Sequence, residues 1–280
     1  MQNGIAKSGA AIVLALLASI ARAEPPQRVV SFNNCADQLV LALADPQQIA
    51  GLSPYATDPT LSVMAQEARA YRLLDWQAEA AIPLKPDLVL TGAWDRSVTR
   101  RMLTRLGFRA VPVEIVGDLE AARRQIRAVA ELLGHAGRGT QLVARLDAAA
   151  ARLAAVRRPG IATALVIERG GYVAGTQSLA TTLLDAAGLR LPAGAPAGVG
   201  AFVSLERLAV LRPDLVFLKD PPSEPSDQGA LYLTHPVLQA LYPPQRRIAL
   251  PTRYTMCGGP ALVAAFDYLA DAMSRLAAAP

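Results

Sequence analysis

Histidine occurs twice, cysteine twice and lysine three times in 280 residues, and aromatic side chains make up only 5%. Two histidines, His135 and His235, cannot build a His-rich zinc or manganese cluster, and they leave histidine-based general-base catalysis few candidates. Both fall where a surface or capping role is expected, His135 in a polar break and His235 before Pro236. Lys7, Lys85 and Lys219 are the only lysines; with a net charge of +5 and no basic runs, the chain has no nucleic-acid footprint. Charged residues are 18% against 52% hydrophobic, which excludes a disordered chain; 21 prolines and 20 glycines without a period exclude collagen and coiled coil. The catalytic signatures G-x-S-x-G, G-x-x-x-x-G-K-[ST] and H-E-x-x-H are all missing, and the glycines of 194–200 lack G-x-G-x-x-G spacing. The expectation is therefore a chain that is not an enzyme.

Long apolar runs are confined to the N-terminus. Lys7 is followed by the apolar run Ala10–Ile20 and then Ala21-Arg22-Ala23, an A-x-A cleavage pattern. The uncharged stretch Ser8–Ala21 has 14 residues, short of the roughly 20 that span a bilayer as a helix. A secretory signal over 1–23, cut after Ala23, is expected, with no second span.

Beyond it, periodicity alternates between strands and helices. Strands are predicted at Arg28–Phe32, Ile49–Ser53, Leu88–Thr91 and Val111–Val113, with helices at Asp37–Ala44, Trp76–Leu84 and Ser97–Leu106 between them. Residues 118–158 are rich in Ala, Leu, Arg and Glu and read as two helices broken near Gly134–Gly139. Strands at Ala162–Glu168, Leu215–Leu218 and Arg247–Leu250 then alternate with helices up to a final one over Pro260–Leu276. The expected fold is α/β: an N-terminal lobe over 24–117, linking helices over 118–158 and a C-terminal lobe over 159–280, with parallel sheets in both lobes.

An internal repeat supports two related halves. Glu79-Ala-Ala-Ile-Pro-Leu-Lys-Pro-Asp-Leu-Val-Leu90 aligns without a gap on Glu206-Arg-Leu-Ala-Val-Leu-Arg-Pro-Asp-Leu-Val-Phe217. Each copy reads as a short helix, a Pro-Asp turn and a buried strand.

These paired motifs resemble the periplasmic binding proteins of cobalamin and ferric-siderophore ABC importers. The early V-V-S-x-N-x-C-x-D-Q-L turn at 29–39, the linking helix and Gly51-Leu-Ser-Pro-Tyr55 carry the same resemblance. It implies two rigid Rossmann-like lobes joined by one long helix, with the ligand in the cleft between them. It also implies a monomer without a resident cofactor, whose ligand is a cobalt- or iron-containing chelate, with haem as the alternative. The chelate would pass to a permease dimer driven by a cytoplasmic ATPase. A secreted enzyme on a similar scaffold is the competing class. In the family, a glutamate on each lobe's rim engages permease arginines, and the matching positions are Glu79 and Glu206. A glutamate in a first helical turn is also stabilised by the helix dipole without any partner.

Ligand contacts are expected on loops that follow strands, where clefts of open α/β sheets form. The candidates are Asn33 and Asn34, Tyr55, Trp94 with Asp95 and Arg96, Arg169 with Tyr172, and Arg253 with Tyr254. Aromatic faces suit planar macrocycles or catechols, and arginine forks suit carboxylates. Tyr55 matches a corrin-contacting tyrosine of the cobalamin-binding relatives, and either Trp94 or Trp76 stands for their cleft tryptophan. Cys35 and Cys257 leave three readings open: a disulfide clamping the lobes, two free thiols in the pocket, or metal ligation.

Overall fold

The computed structural model describes residues 24–93, 97–156, 161–221 and 227–278. The first half contains β1 (Val29–Ser31), α1 (Asn34–Leu43), β2 (Ile49–Gly51), α2 (Ala65–Ala68), β3 (Leu88–Gly92), α3 (Ser97–Arg105) and β4 (Ala110–Val113). Two longer helices follow, α4 (Leu119–Leu132) and α5 (Ala136–Ala155). The second half contains β5 (Ala164–Ile167), β6 (Tyr172–Ala174), α6 (Leu179–Ala186), β7 (Gly200–Phe202), α7 (Leu205–Leu211) and β8 (Leu215–Lys219). It closes with α8 (Gln228–Thr234), α9 (Pro236–Leu241), β9 (Arg247–Leu250) and α10 (Pro260–Ala278).

The first sheet has the order β2-β1-β3-β4 and is parallel throughout. Every residue of β1 and β3 is buried, as expected when helices cover both faces of a parallel sheet. The second sheet has the order β7-β6-β5-β8-β9. Its β5, β8 and β9 are parallel, as the sequence predicts, whereas β6 runs antiparallel to both β5 and β7, and neither β6 nor β7 is among the predicted strands. Those two strands have three residues each and sit beside glycines, so they carry almost no periodic signal. The helix expected from Trp76 is a 3-10 helix over Ala78–Leu84, with Pro83 inside it.

The repeat does the same structural work twice. Lys85 (φ 44°, ψ 56°) and Arg212 (φ 43°, ψ 53°) end their helices in the left-handed conformation, and the proline that follows cannot continue a helix. The next residue then ties the start of the neighbouring strand. Asp87 accepts the backbone N–H of Gln27 (2.6 Å) and Arg28 (3.0 Å), and Asp214 accepts those of Ala162 (3.0 Å) and Thr163 (2.9 Å). These donors precede β1 and β5, so the motif anchors the central strand of each sheet.

The halves share a helical layer. One core cluster joins Val29, Leu88 and Leu90 of the first sheet to Ala164, Val166 and Phe217 of the second, through α1, α4, α5, α6 and α10. Separate clusters cover the outer face of each sheet. Gly139 lets α4 and α5 approach closely, since a Cβ there would run into the Ala130 methyl and lie 3.5 Å from the Ile126 carbonyl oxygen. Arg123 of α4 pairs with Asp147 of α5 at 2.7 Å, and Arg152 of α5 pairs with Asp267 of α10. These exposed pairs add little; the continuous apolar layer is what holds the halves in a fixed relation.

Candidate functional site

Strands β1 to β4 all point the same way, and their C-terminal ends deliver four loops to one end of the first sheet. At the first, Asn33 caps α1, its side chain accepting from the N–H groups of Cys35 (2.9 Å) and Ala36 (3.2 Å). Asn34 is buried and donates through Nδ2 to the Leu61 carbonyl at 2.9 Å. Asp37 is fully buried and accepts from the Ser53 N–H (3.1 Å) and hydroxyl (2.5 Å). It thereby fixes the loop after β2 that carries Tyr55. Tyr55 is 48% exposed, and its ring lies 5.0 Å from that of Trp76, tilted by 60°. Trp76 is thus the tryptophan that joins Tyr55; Trp94, Asp95 and Arg96 lie outside the described residues.

On the second sheet, the loop after β5 carries Glu168 and Arg169 and leads into Tyr172, the first residue of β6. Glu168 pairs with Lys219 at the end of β8 (2.9 Å), and Arg169 pairs with Asp227, the N-cap of α8. The Ala230 N–H and the Arg169 guanidinium hold the Asp227 carboxyl below its usual range, so the ion pair stays charged. Tyr172 meets Phe202 edge to face at 5.5 Å. Phe202 is 76% exposed and was not singled out from the sequence; its only signal there is a phenylalanine in a glycine-rich stretch. Beneath this loop, burial pushes the Tyr232 phenol up to about 12.

The loop after β9 reaches the first half. Arg253 donates to the Pro59 carbonyl at 3.1 Å, and its guanidinium lies 4.9 Å over the Tyr254 ring. Tyr254 stacks in turn on Tyr268 of α10 at 4.9 Å, and the Tyr268 hydroxyl donates to the Ala249 carbonyl at 2.7 Å. Arg253 is therefore held rigidly where the halves meet.

Cys35 and Cys257 are joined by a disulfide, with Cα atoms 5.1 Å apart. This corrects the two other readings: neither sulfur is a free pocket thiol or a metal ligand. The bond ties the start of α1 to the segment that precedes α10. Beside it lies a cavity of about 180 Å³ whose walls come from both halves and the helix that follows the first: Asn33, Gly92 and Ile115 from the first half, Gln125 from α4, and Met256 and Gly258 from the second half. Among the described residues no group of three or more His, Cys, Asp and Glu could hold a metal ion. His135 instead hydrogen-bonds Gln48 at 2.8 Å, and His235 caps α9.

Glu79 and Glu206 are both exposed in the first turns of the repeat's helices. The Ser204 hydroxyl and the Glu206 backbone N–H hold the Glu206 carboxyl below its ordinary value, keeping it anionic.

A family model described as periplasmic binding protein matches residues 29–230. The chain belongs to the periplasmic binding protein family. Solved structures of the family align over nearly its whole length. The periplasmic haem-binding protein RhuT from Roseiflexus sp. RS-1, in apo form, aligns at TM-score 0.71 and 23% identity, covering 90% of this chain and 99% of that one. The haem-binding protein HutB of Vibrio cholerae aligns at 0.73 and 17% identity, covering 88% and 98%. The vitamin B12-binding protein BtuF of Vibrio cholerae gives 0.65 and 15%, covering 90% and 98%. At these identities the likeness establishes the two-lobed fold. No curated protein sequence matches the chain. Among the described residues, no helix of this periplasmic binding protein is long and apolar enough to cross a membrane.

Proposed function

We propose that this protein is the solute-binding component of an ABC importer. It captures a metal chelate between its lobes and acts by binding, not by catalysis. The observation that carries this reading is one aromatic pair per half at the strand ends, Tyr55 with Trp76 and Tyr172 with Phe202, with Arg253 bridging the halves. Flat apolar faces suit a macrocycle or catechol ring, and a cation beside them suits the carboxylates such ligands carry. Asn33, Asn34, Arg169, Tyr254 and the 94–96 segment complete the proposed contact set. The ligand is a cobalt- or iron-containing chelate: a corrinoid, a ferric siderophore or haem. Haem gains support from RhuT and HutB, which align at higher TM-scores than BtuF. The shared apolar layer supports a largely preformed cleft.

In this reading the chain is exported, with its signal removed after Ala23. The lobes are 24–117 and 159–280, linked by 118–158. Glu79 and Glu206 engage basic pockets of a permease dimer that is coupled to a cytoplasmic ATPase. Titration of the purified protein with haem, cyanocobalamin and several ferric siderophores, read by tryptophan quenching and calorimetry, tests the proposal. One of them is expected to bind below about 10 μM, near −7 kcal/mol. Failure of all of them overturns it.

A further inference from the structure

The cavity beside the disulfide has a larger neighbour. Val113, Glu114, Ile115, Val116 and Gln125 line it, and the same five residues line a second cavity of about 560 Å³. This second cavity is a groove between β4, which is the free edge of the first sheet, and α4. Its walls are Leu90 and Val111 on the sheet side and Ala121, Ala128, Val129 and Leu132 on the helix side. Its size falls in the range of small-molecule sites, roughly 300–1,000 Å³, whereas the inter-lobe cavity alone falls below it.

The groove is not an attractive seat for another strand. Thr91 pairs with Pro112, so the exposed edge of β4 carries a proline that cannot donate, a device that blocks strand addition. What the groove offers is mostly apolar wall, interrupted by Glu114 and Arg124, and five lining residues in common with the inter-lobe cavity. Ile115, 62% exposed, stands on the wall the two share. Gln125 stands there too. Its Nε2 donates to the Glu114 carbonyl, while its carboxamide oxygen is buried without a partner. An orphaned buried acceptor is costly, so a turn of this side chain toward a ligand N–H or O–H at the junction is favoured.

We infer that the ligand is an amphiphilic chelate: the metal-binding head sits between the lobes, and an unbranched apolar chain runs past Gln125 into the groove between β4 and α4. This rests on the proposed function, because the head's place is taken from it. The groove adds what the aromatic pairs do not specify, namely that a tailed chelate is preferred over the same chelate without a tail. Each methylene buried along the walls should tighten binding about fourfold until the groove is full.

The test uses two homologous series. Haem is compared with its propionate mono-amides of butylamine, octylamine and dodecylamine; ferric desferrioxamine B is compared with its N-acetyl, N-octanoyl and N-dodecanoyl derivatives. Affinities are measured by calorimetry on the protein and on the Ala128→Trp variant, whose added ring fills the groove from an exposed helix position. The expected result is an affinity that rises by at least 30-fold from the tailless to the eight-carbon member in whichever series binds. The variant should lose that gain while binding the tailless head as before. A head that binds with no gain along its series overturns the inference and leaves the proposed function standing, as does a gain that survives Ala128→Trp. Binding of no head, from these series or the wider panel, overturns the functional reading and this inference with it.

Discussion

Replacing both bridging cysteines, Cys35→Ser with Cys257→Ser, removes a cross-link that closes a loop of 222 residues. The entropy the bond takes from the unfolded chain grows with the logarithm of loop length, and for a loop of this size it corresponds to about 5 kcal/mol at 25 °C. Measured effects run below this ceiling, commonly at 2–4 kcal/mol, because the unfolded chain retains some compactness. Unfolding a chain of this size releases roughly 0.5 kcal/mol per kelvin, so the melting midpoint should fall by about 4–10 °C. Cys257 is fully buried, so serine there also hides a hydroxyl that needs a partner. The single variants separate that local cost from the cross-link, because each breaks the bond with only one new hydroxyl. Thermal melts of parent, single and double variants, with and without reductant, read the effect. The parent in reductant should approach the double variant, and reductant should leave the double variant unchanged. A parent midpoint that moves by less than 1 °C on complete reduction, with both thiols shown to be free, would refute the reasoning.

Four further outcomes follow from named contacts. Charge reversal at Glu79 and Glu206 together should abolish uptake in cells while leaving ligand affinity unchanged; unimpaired uptake removes the docking role. Phe202→Ala should leave the melting midpoint nearly unchanged, because the ring is 76% exposed, and should weaken chelate binding about tenfold by calorimetry. Asp214→Ala strips the acceptor from the Ala162 and Thr163 N–H groups and the Thr163 hydroxyl, and should cost about 1–3 kcal/mol in urea titrations at pH 7. Partial burial opposes ionisation of Asp214, but these hydrogen bonds outweigh it and its pKa lies below 3.8. Its charge-dependent stabilisation is therefore complete above about pH 4 and is lost as pH falls through the folded value, so the gap between parent and variant should narrow only in that acid range. Gly171→Ala should destabilise the loop that carries Arg169 and leads into Tyr172 by about 1–3 kcal/mol in melts, since φ is +80° and a Cβ would sit 2.7 Å from the Val203 carbonyl oxygen.

Much of the scaffold is legible one segment at a time. The repeated Pro-Asp-Leu-Val blocks announce a helix stop and a buried strand because proline ends a helix locally and a run of apolar β-formers needs cover on both faces. The reason for the aspartate is less legible. Its partners, the N–H groups before β1 and β5, lie 59 or 60 residues away for Asp87 and 51 or 52 for Asp214. The strands β6 and β7 escape for a related reason. Three residues hold no measurable period, and their pairing depends on Gly175 and Gly200 letting backbone approach backbone. Phe202 belongs to that pair of strands, so its meeting with Tyr172 went unread with them.

The candidate site divides along the same line. Its loops could be placed from sequence, because strand ends in an α/β chain follow from hydrophobic runs and their stops. Which side chains meet there could not, because pairs such as Tyr55 with Trp76, Arg253 with the Pro59 carbonyl and Arg169 with Asp227 join residues from different loops. The sequence by itself determined the α/β alternation, the duplicated motif and the likeness to binding proteins of metal-chelate importers, all of which rest on local periodicity and short-range spacing. Tertiary structure alone decided that Cys35 and Cys257 are bonded, that one apolar layer welds the halves, and that the inter-lobe cavity and the groove beside α4 share five lining residues. Each of those is a contact between segments far apart in the chain, and proximity of that kind is set by packing.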